Sequence, residues 1–344
     1  MLRPLLLALT LACPLGACDR SATSAAPTAA PVAADPGRRA QQLQALYADY
    51  WEAYLALNPL RATLYGDNRF NDQWVDAGSA DHRAQVHALE ARGLAQAEAI
   101  GSAGLTGQDQ LSYEIFLRDR RQALQAERFP QWMLPVSQMD STAGYAVMFG
   151  SGAGAQPFAT VQDHDHWLAR AARVPVLVST EIDNMRQGLR AGVVQPRVVV
   201  EKVLAQLDAV LTPEVETSPF WGPVQLLPDT ISGADRQRLT QAYRTLITGQ
   251  LNPALRRQRD FLATEYLPRA RATVGLAALP QGTAWYAFNV QRETTTQQTP
   301  AQIHQIGLDE VARIHQQLRG IMAEVGFQGS LQEFFAFMQH DRRF

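Results

Sequence analysis

Cysteine is nearly absent from this chain. Its 344 residues include two, Cys13 and Cys18, and none follows position 18. Disulfides, cysteine nucleophiles and cysteine-built zinc sites are therefore excluded from everything downstream. Lysine is scarcer still. Lys202 is the only one, and arginine carries almost all the positive charge. A phosphate-cradling Gly-x-x-x-x-Gly-Lys loop needs a lysine directly behind a glycine, but Glu201 precedes Lys202. Net charge is −2 at pH 7 with no basic patch, so the electrostatic footprint of a nucleic-acid binder is missing. Sustained alternation of apolar and polar residues is missing too, and no internal repeat occurs. Without a period of two there are no half-buried strands to expect, and the fold class reads as all-α.

What is present begins with an export signal. Arg3 is followed by an apolar run from Leu5 to Ala12. That run falls well short of the roughly 20 residues a spanning helix needs. Behind it stands Leu15-Gly16-Ala17-Cys18, which resembles a bacterial lipobox, in which the cysteine is diacylated and becomes the new N-terminus. We expect residues 1–17 to be removed, a lipid on Cys18, and an anchor in a cell-envelope membrane facing the periplasm. Asp19 resembles an inner-membrane retention signal of enteric bacteria, a rule that does not decide the membrane elsewhere. Residues 18–37 are rich in Ala, Pro, Ser and Thr and read as a disordered tether, too polar to bury a core.

From Arg38 the sequence is helix after helix. Leu43, Leu46, Tyr47, Tyr50, Tyr54 and Leu57 share one stripe at the helical period. Asn58-Pro59 stops that helix and starts a short one ending at Gly66. Helices are expected over Ala80 to Ile100 and Gln108 to Ala126. Phe129 to Phe158, with three prolines and several glycines, reads as the longest irregular stretch. Thr160 with Asp163 makes a capping box, Pro175 kinks or restarts the helix, and Gly188 and Gly192 bracket its end. Pro196 opens a helix to Leu211. Thr212 to Pro228 is a Pro- and aromatic-rich connection. Ser232 to Tyr266 is helical with a kink or break expected at Pro253. Thr299 caps a last long helix to Val325, with Gln302 completing its box. Ile303, Gly307, Val311, Ile314, Leu318, Ile321 and Val325 form its apolar face. We expect the chain to be organised around this helix and its face to pack against something large.

Several segments together resemble one family. They are Tyr50-Trp51-Glu52 with Leu57-Asn58-Pro59-Leu60-Arg61-Ala62-Thr63 and Gly66-Asp67; Phe158 with Asp163 and Trp167-Leu168-Ala169-Arg170; Gly188 with Gly192-Val193-Val194-Gln195-Pro196-Arg197; and Thr294-Thr295-Thr296, Pro300, Ile303-His304, Gly307-Leu308 and Glu310-Val311-Ala312-Arg313-Ile314, continued to Phe334. In order and spacing they are similar to the domain of unknown function 885 family of exported bacterial proteins. That family resembles helical zinc metallopeptidases of the gluzincin kind. The resemblance implies a large multi-helix array like the N-terminal half of such a peptidase, and zinc and peptide hydrolysis in the full-length family. The family's His-Glu-x-x-x-x-Gly-His-His helix lies in its second half, and this chain has no His-Glu dipeptide. The folded body 38–344 is accordingly expected to be a truncated, non-catalytic half. No catalytic, cofactor or metal residue can be carried over, and Cys18 is the only site residue.

The histidines present do not replace the motif. A helical zinc pair needs ligands about four apart on one face. His304 and His315 lie about 16 Å apart along one helix. Asp163-His164-Asp165-His166 opens a helix, where alternate residues point in opposed directions. His82 and His87 sit on a polar helix and read as solvated. Gly150-Ser151-Gly152-Ala153-Gly154 lacks the spacing of a nucleophile elbow and reads as a flexible loop. Asp309 and Arg313 have the spacing of an exposed helical ion pair. Two readings remain: the N-terminal part of a lipid-anchored protein resembling zinc peptidases, which meets peptide substrate, or a non-catalytic periplasmic helical lipoprotein that binds peptides or a protein partner. Neither involves nucleic acid.

Overall fold

The computed structural model describes residues 36–343. Its helices in chain order are α1 (Pro36–Leu57), α2 (Pro59–Leu64), α3 (Ala80–Ile100), α4 (Gly107–Ala126), α5 (Thr142–Gly150), α6 (Val161–Ala171), α7 (Val174–Ala191), α8 (Arg197–Val210), α9 (Gly222–Gln225), α10 (Gly233–Leu246), α11 (Asn252–Phe261), α12 (Gly282–Thr294), α13 (Pro300–Glu324) and α14 (Leu331–His340). Among the described residues there is no strand; Pro196 and Arg271 make one isolated bridge. The fold is all-α. Cys18, the signal segment and nearly all of the tether lie outside the described residues.

The start and stop signals act as their chemistry requires. Ser79 accepts from the backbone of His82 at the head of α3, and Gly101 ends that helix at φ 73°. Thr160 and Asp163 form the full capping box of α6. Gly192, left-handed at φ 72°, closes α7. Asn58 differs: its side chain turns back to donate to the Tyr54 carbonyl at 2.8 Å rather than capping α2.

Three local expectations are corrected or refined. The stretch 129–158 contains α5, nine residues long and capped by Ser141. Ala143, Ala146, Phe149 and Gly150 are buried there, and apolar residues on nearly every side left no polar stripe to reveal a period. At Pro253, where a kink or break is expected, the chain stays helical and the irregularity takes the form of a π-helical turn just before it. A π-helical turn at Ile247–Leu251 leads directly into α11, with Pro253 in its first turn, where a missing N–H costs little. Arg313 pairs with Glu310 instead of Asp309, which takes a hydrogen bond from Gln305.

The largest correction concerns the centre of the molecule. The main core lies where α6, α7, α8, α10 and α11 meet, around Trp167, Val178, Ile182, Leu207, Tyr243, Leu251 and Leu255. A second cluster packs α1 against α3 and α4 through Leu43, Leu46, Ala97 and Leu117. Phe129, Val193, Trp285 and Phe288 seat α12 in a third. The helix α13 is peripheral. Met322 is its one buried residue, and Leu308, Val311, Ile314, Ile321 and Val325 are exposed.

Candidate functional site

The heptad-like spacing of α7 buries Val174, Leu177, Val178, Ile182 and Met185. Glu181 falls inside this stripe and is only 8 % exposed. A carboxylate there must find donors. The first turn of α5 supplies two: the Thr142 backbone N–H at 2.9 Å and its hydroxyl at 2.7 Å, both to Oε1. Gln258 of α11 donates its amide to Oε2. Burial outweighs these hydrogen bonds and pushes the carboxyl up to about 7.

Above Glu181 opens a cleft of about 440 Å³. The loop before α3 forms one wall and carries Trp74, Asp76 and Gly78. That loop is tied to α7 twice. Thr180 donates its hydroxyl to Asp76 at 2.6 Å, and Asn184 donates to the Gly78 carbonyl at 2.9 Å. A Cβ on Gly78 would stand 3.0 Å from both Asn184 and Thr180 and press on the side chains that make this tie. Trp132, Asp140 and Tyr145 close the other side. The Tyr145 hydroxyl is pushed above its usual range by burial and by its hydrogen bond to Asp140. Ser141 and Tyr145 also border a second, mostly apolar groove of about 340 Å³, which continues over Met148, Val203, Leu207 and Val210. An enclosed acid, two further carboxylates, aromatic walls and an adjoining apolar groove give this cleft the character of a binding site.

The residues singled out in the sequence lie elsewhere. Among the described residues no group of three or more His, Cys, Asp or Glu is placed to hold a metal. The 163–166 run is dispersed. Asp163 takes the N-cap hydrogen bonds of Thr160, and His164 turns inward to meet the Tyr243 hydroxyl at 2.9 Å. Asp165 pairs with Arg238, and His166 faces Gln162 at the surface. Burial holds His164 below the usual histidine range. The donor set is thus spent on structure, and a zinc ion does not fit it. His304 is exposed and His315 half-buried on α13. His87 pairs with Glu127 at 2.7 Å, while His82 is half-buried and lowered by burial.

Gly150 to Gly154 is not a loose loop. A Cβ on Gly150 would lie 2.1 Å from the Trp167 ring, and one on Gly154 would lie 2.0 Å from the Met148 carbonyl. The glycines are there because backbone and ring pack directly on them.

Sequence reasoning passed over Glu181, although its place in the apolar stripe of α7 was visible. It also passed over the role of Arg170. That guanidinium is fully buried, with Asp72 the carboxylate whose charge reaches it. It donates to the Phe70 and Gln73 carbonyls, to Gln156 and to Thr63. Burial lowers it to about 10. Arg170 thereby pins the segment after α2 to α6, joining two of the stretches that carry the family resemblance.

These features define an all-helical protein with one well-formed, acid-floored cleft. The family model described as "Bacterial protein of unknown function (DUF885)" matches residues 59–344, and the chain belongs to that family. Among solved structures it is similar to the crystal structure of "the putative lipoprotein from Colwellia psychrerythraea", with a TM-score of 0.72 at 20 % identity. The match covers 89 % of this chain and 55 % of that one. At this identity the likeness is one of fold. The chain therefore spans about half the length of that relative. Comparison with curated proteins finds no significant match.

Proposed function

We propose that this chain is the N-terminal, non-catalytic part of an exported, lipid-anchored protein related to helical zinc peptidases, and that it supplies a wall of the peptide-binding region. The observation that carries the reading is the uncovered apolar face of α13, set beside a relative of the same fold of which this chain covers only 55 %. A helix whose Val311, Ile314 and Ile321 meet solvent is built for a partner surface. The relative's description as a "putative lipoprotein" and the Leu15-Gly16-Ala17-Cys18 motif support envelope attachment through Cys18. Peptide hydrolysis would belong to the longer protein, because the donors described here do not converge on a metal.

The test is direct. The 344-residue chain, stripped and then refilled with zinc, is expected to retain less than one equivalent and to cleave no peptide. A version extended by the downstream reading frame is expected to retain one equivalent and to cleave. Stoichiometric zinc and hydrolysis by the 344-residue chain alone would overturn the reading, as would a downstream frame without a His-Glu motif. The second outcome would favour the other reading, a helical lipoprotein that binds peptides or a protein partner without chemistry.

A further inference from the structure

We propose that the Glu181 cleft and the apolar groove beside it form one two-part site for an organic cation with an apolar tail: a guanidinium or ammonium group in the first compartment, and aliphatic carbon in the second. This deepens the reading of the region as peptide-binding, and its cation part stands without that reading.

Three observations carry it. First, the cleft is lined by Asp76, Asp140 and Glu181 and by no lysine, arginine or histidine. None of the three carboxylates joins an ion pair among the described residues. The cations nearest them, His82 beside Asp76 and Arg83 at the rim, stand outside the lining, so the cleft itself leaves room for a cation from elsewhere. Second, the remaining walls include Trp74, Trp132 and Tyr145, whose ring faces attract a desolvated cation. The rim already shows this preference: the Arg83 guanidinium lies 4.5 Å from the centre of the Trp132 ring and donates to the Gly78 carbonyl. Third, the apolar groove meets the cleft at Ser141 and Tyr145, which line both. A ligand filling the two must carry charge at one end and carbon at the other.

A compact metal ion is a poorer occupant. The acids do not converge closely enough to coordinate one ion; Glu181, whose oxygens already accept from Thr142 and Gln258, floors the cleft, and Asp76 and Asp140 are the acids that meet the cation. A planar or spread cation matches carboxylates set apart around aromatic walls. The loop carrying Asp76 is already held by Thr180 and Asn184, so little ordering remains to be done on binding.

Isothermal titration of the full chain tests this with methyl-, butyl- and hexylguanidinium, with hexanoate, and with the dipeptide amides Arg-Leu and Glu-Leu. Saturable binding of the guanidinium series is expected, tightening with chain length, and none is expected for hexanoate or Glu-Leu. Asp76→Asn combined with Asp140→Asn should weaken hexylguanidinium at least tenfold. Met148→Ser should remove the gain from methyl to hexyl while leaving methylguanidinium unchanged. Helical dichroism and an unaltered melting temperature establish that the variants fold, and Tyr145→Phe serves as a second, milder probe of the same wall. Binding of hexanoate as tight as hexylguanidinium, or full affinity in the Asp76/Asp140 variant, would overturn the proposal. Arg-Leu amide binding tighter than butylguanidinium identifies a peptide as the source of the cation. Equal affinity supports the cation site and counts against the peptide reading.

Discussion

Glu181 shows how one misplaced charge ties a site to stability. Unfolded, its carboxyl titrates at the ordinary value near 4.5; folded, burial raises it to about 7. Between those values the folded state holds more protons than the unfolded one, so this residue makes stability fall as pH rises. The loss begins near pH 4.5 and is complete above about 7. At full extent it corresponds to about 3 kcal/mol. Glu181→Gln should remove that slope. The Gln258 Oε1 has no partner, so its amide can turn over and accept from the new side chain. Thermal melts from pH 4.5 to 8 are expected to show the variant gaining most at pH 8 and least at pH 4.5. A parallel pair of curves would mean that the Glu181 charge is already compensated in the folded state. Packing makes an equally local demand at Gly150. A methyl group there meets the fully buried Trp167 ring, so Gly150→Ala should cost roughly 1–3 kcal/mol or more. Gly249 has nothing within 4 Å, and Gly249→Ala should be neutral or stabilise by up to about 1 kcal/mol. Denaturant unfolding of both variants reads the contrast, and equal effects would show that the Trp167 ring can retreat.

At the scale of the element, α13 is the informative case. Its capping box forms as its sequence requires, with Thr299 accepting from Gln302 and Gln302 reaching back to the Thr299 N–H at 2.8 Å. Its amphipathic pattern is just as regular, yet the patterned face is open. Val311 is 53 % exposed and Val325 61 %. Periodicity reports which face of a helix seeks burial and does not report what buries it. Replacing Val311, Ile314 and Ile321 together with Gln should therefore cost little stability, because surface changes usually stay within about 0.5 kcal/mol each. The same change should lower binding of a hydrophobic dye and suppress self-association, measured by light scattering. A melting temperature depressed by many degrees would mean that the face is covered within this chain. The opposite lesson comes from α5. It is buried on most sides and carries two glycines, so it shows no helical stripe. Its Ser141 cap became readable only with the helix itself in view.

For the molecule as a whole, the attachment through Cys18 is tested by Cys18→Ser, which should move the protein from the detergent phase to the aqueous phase on phase partitioning. A variant that stays in the detergent phase would rule out the lipobox reading. The all-helical class was legible because it rests on local signals: caps at Thr160 and Thr299, a glycine stop at 192 and repeated apolar stripes each depend on neighbours a few residues away. The family was legible in the same way, from short segments in a fixed order. What the folded chain added depends on residues far apart in sequence. Arg170 reaches Thr63 across 107 positions and Glu181 meets Gln258 across 77, and no local pattern encodes such pairings. The cleft likewise draws Asp76, Asp140 and Glu181 from three separate segments. Sequence by itself determined the helical class, most of the helices and the family; tertiary structure alone decided that the core lies around α7 and not α13, and that a buried carboxylate floors a cleft, because burial and charge proximity arise only when distant segments pack.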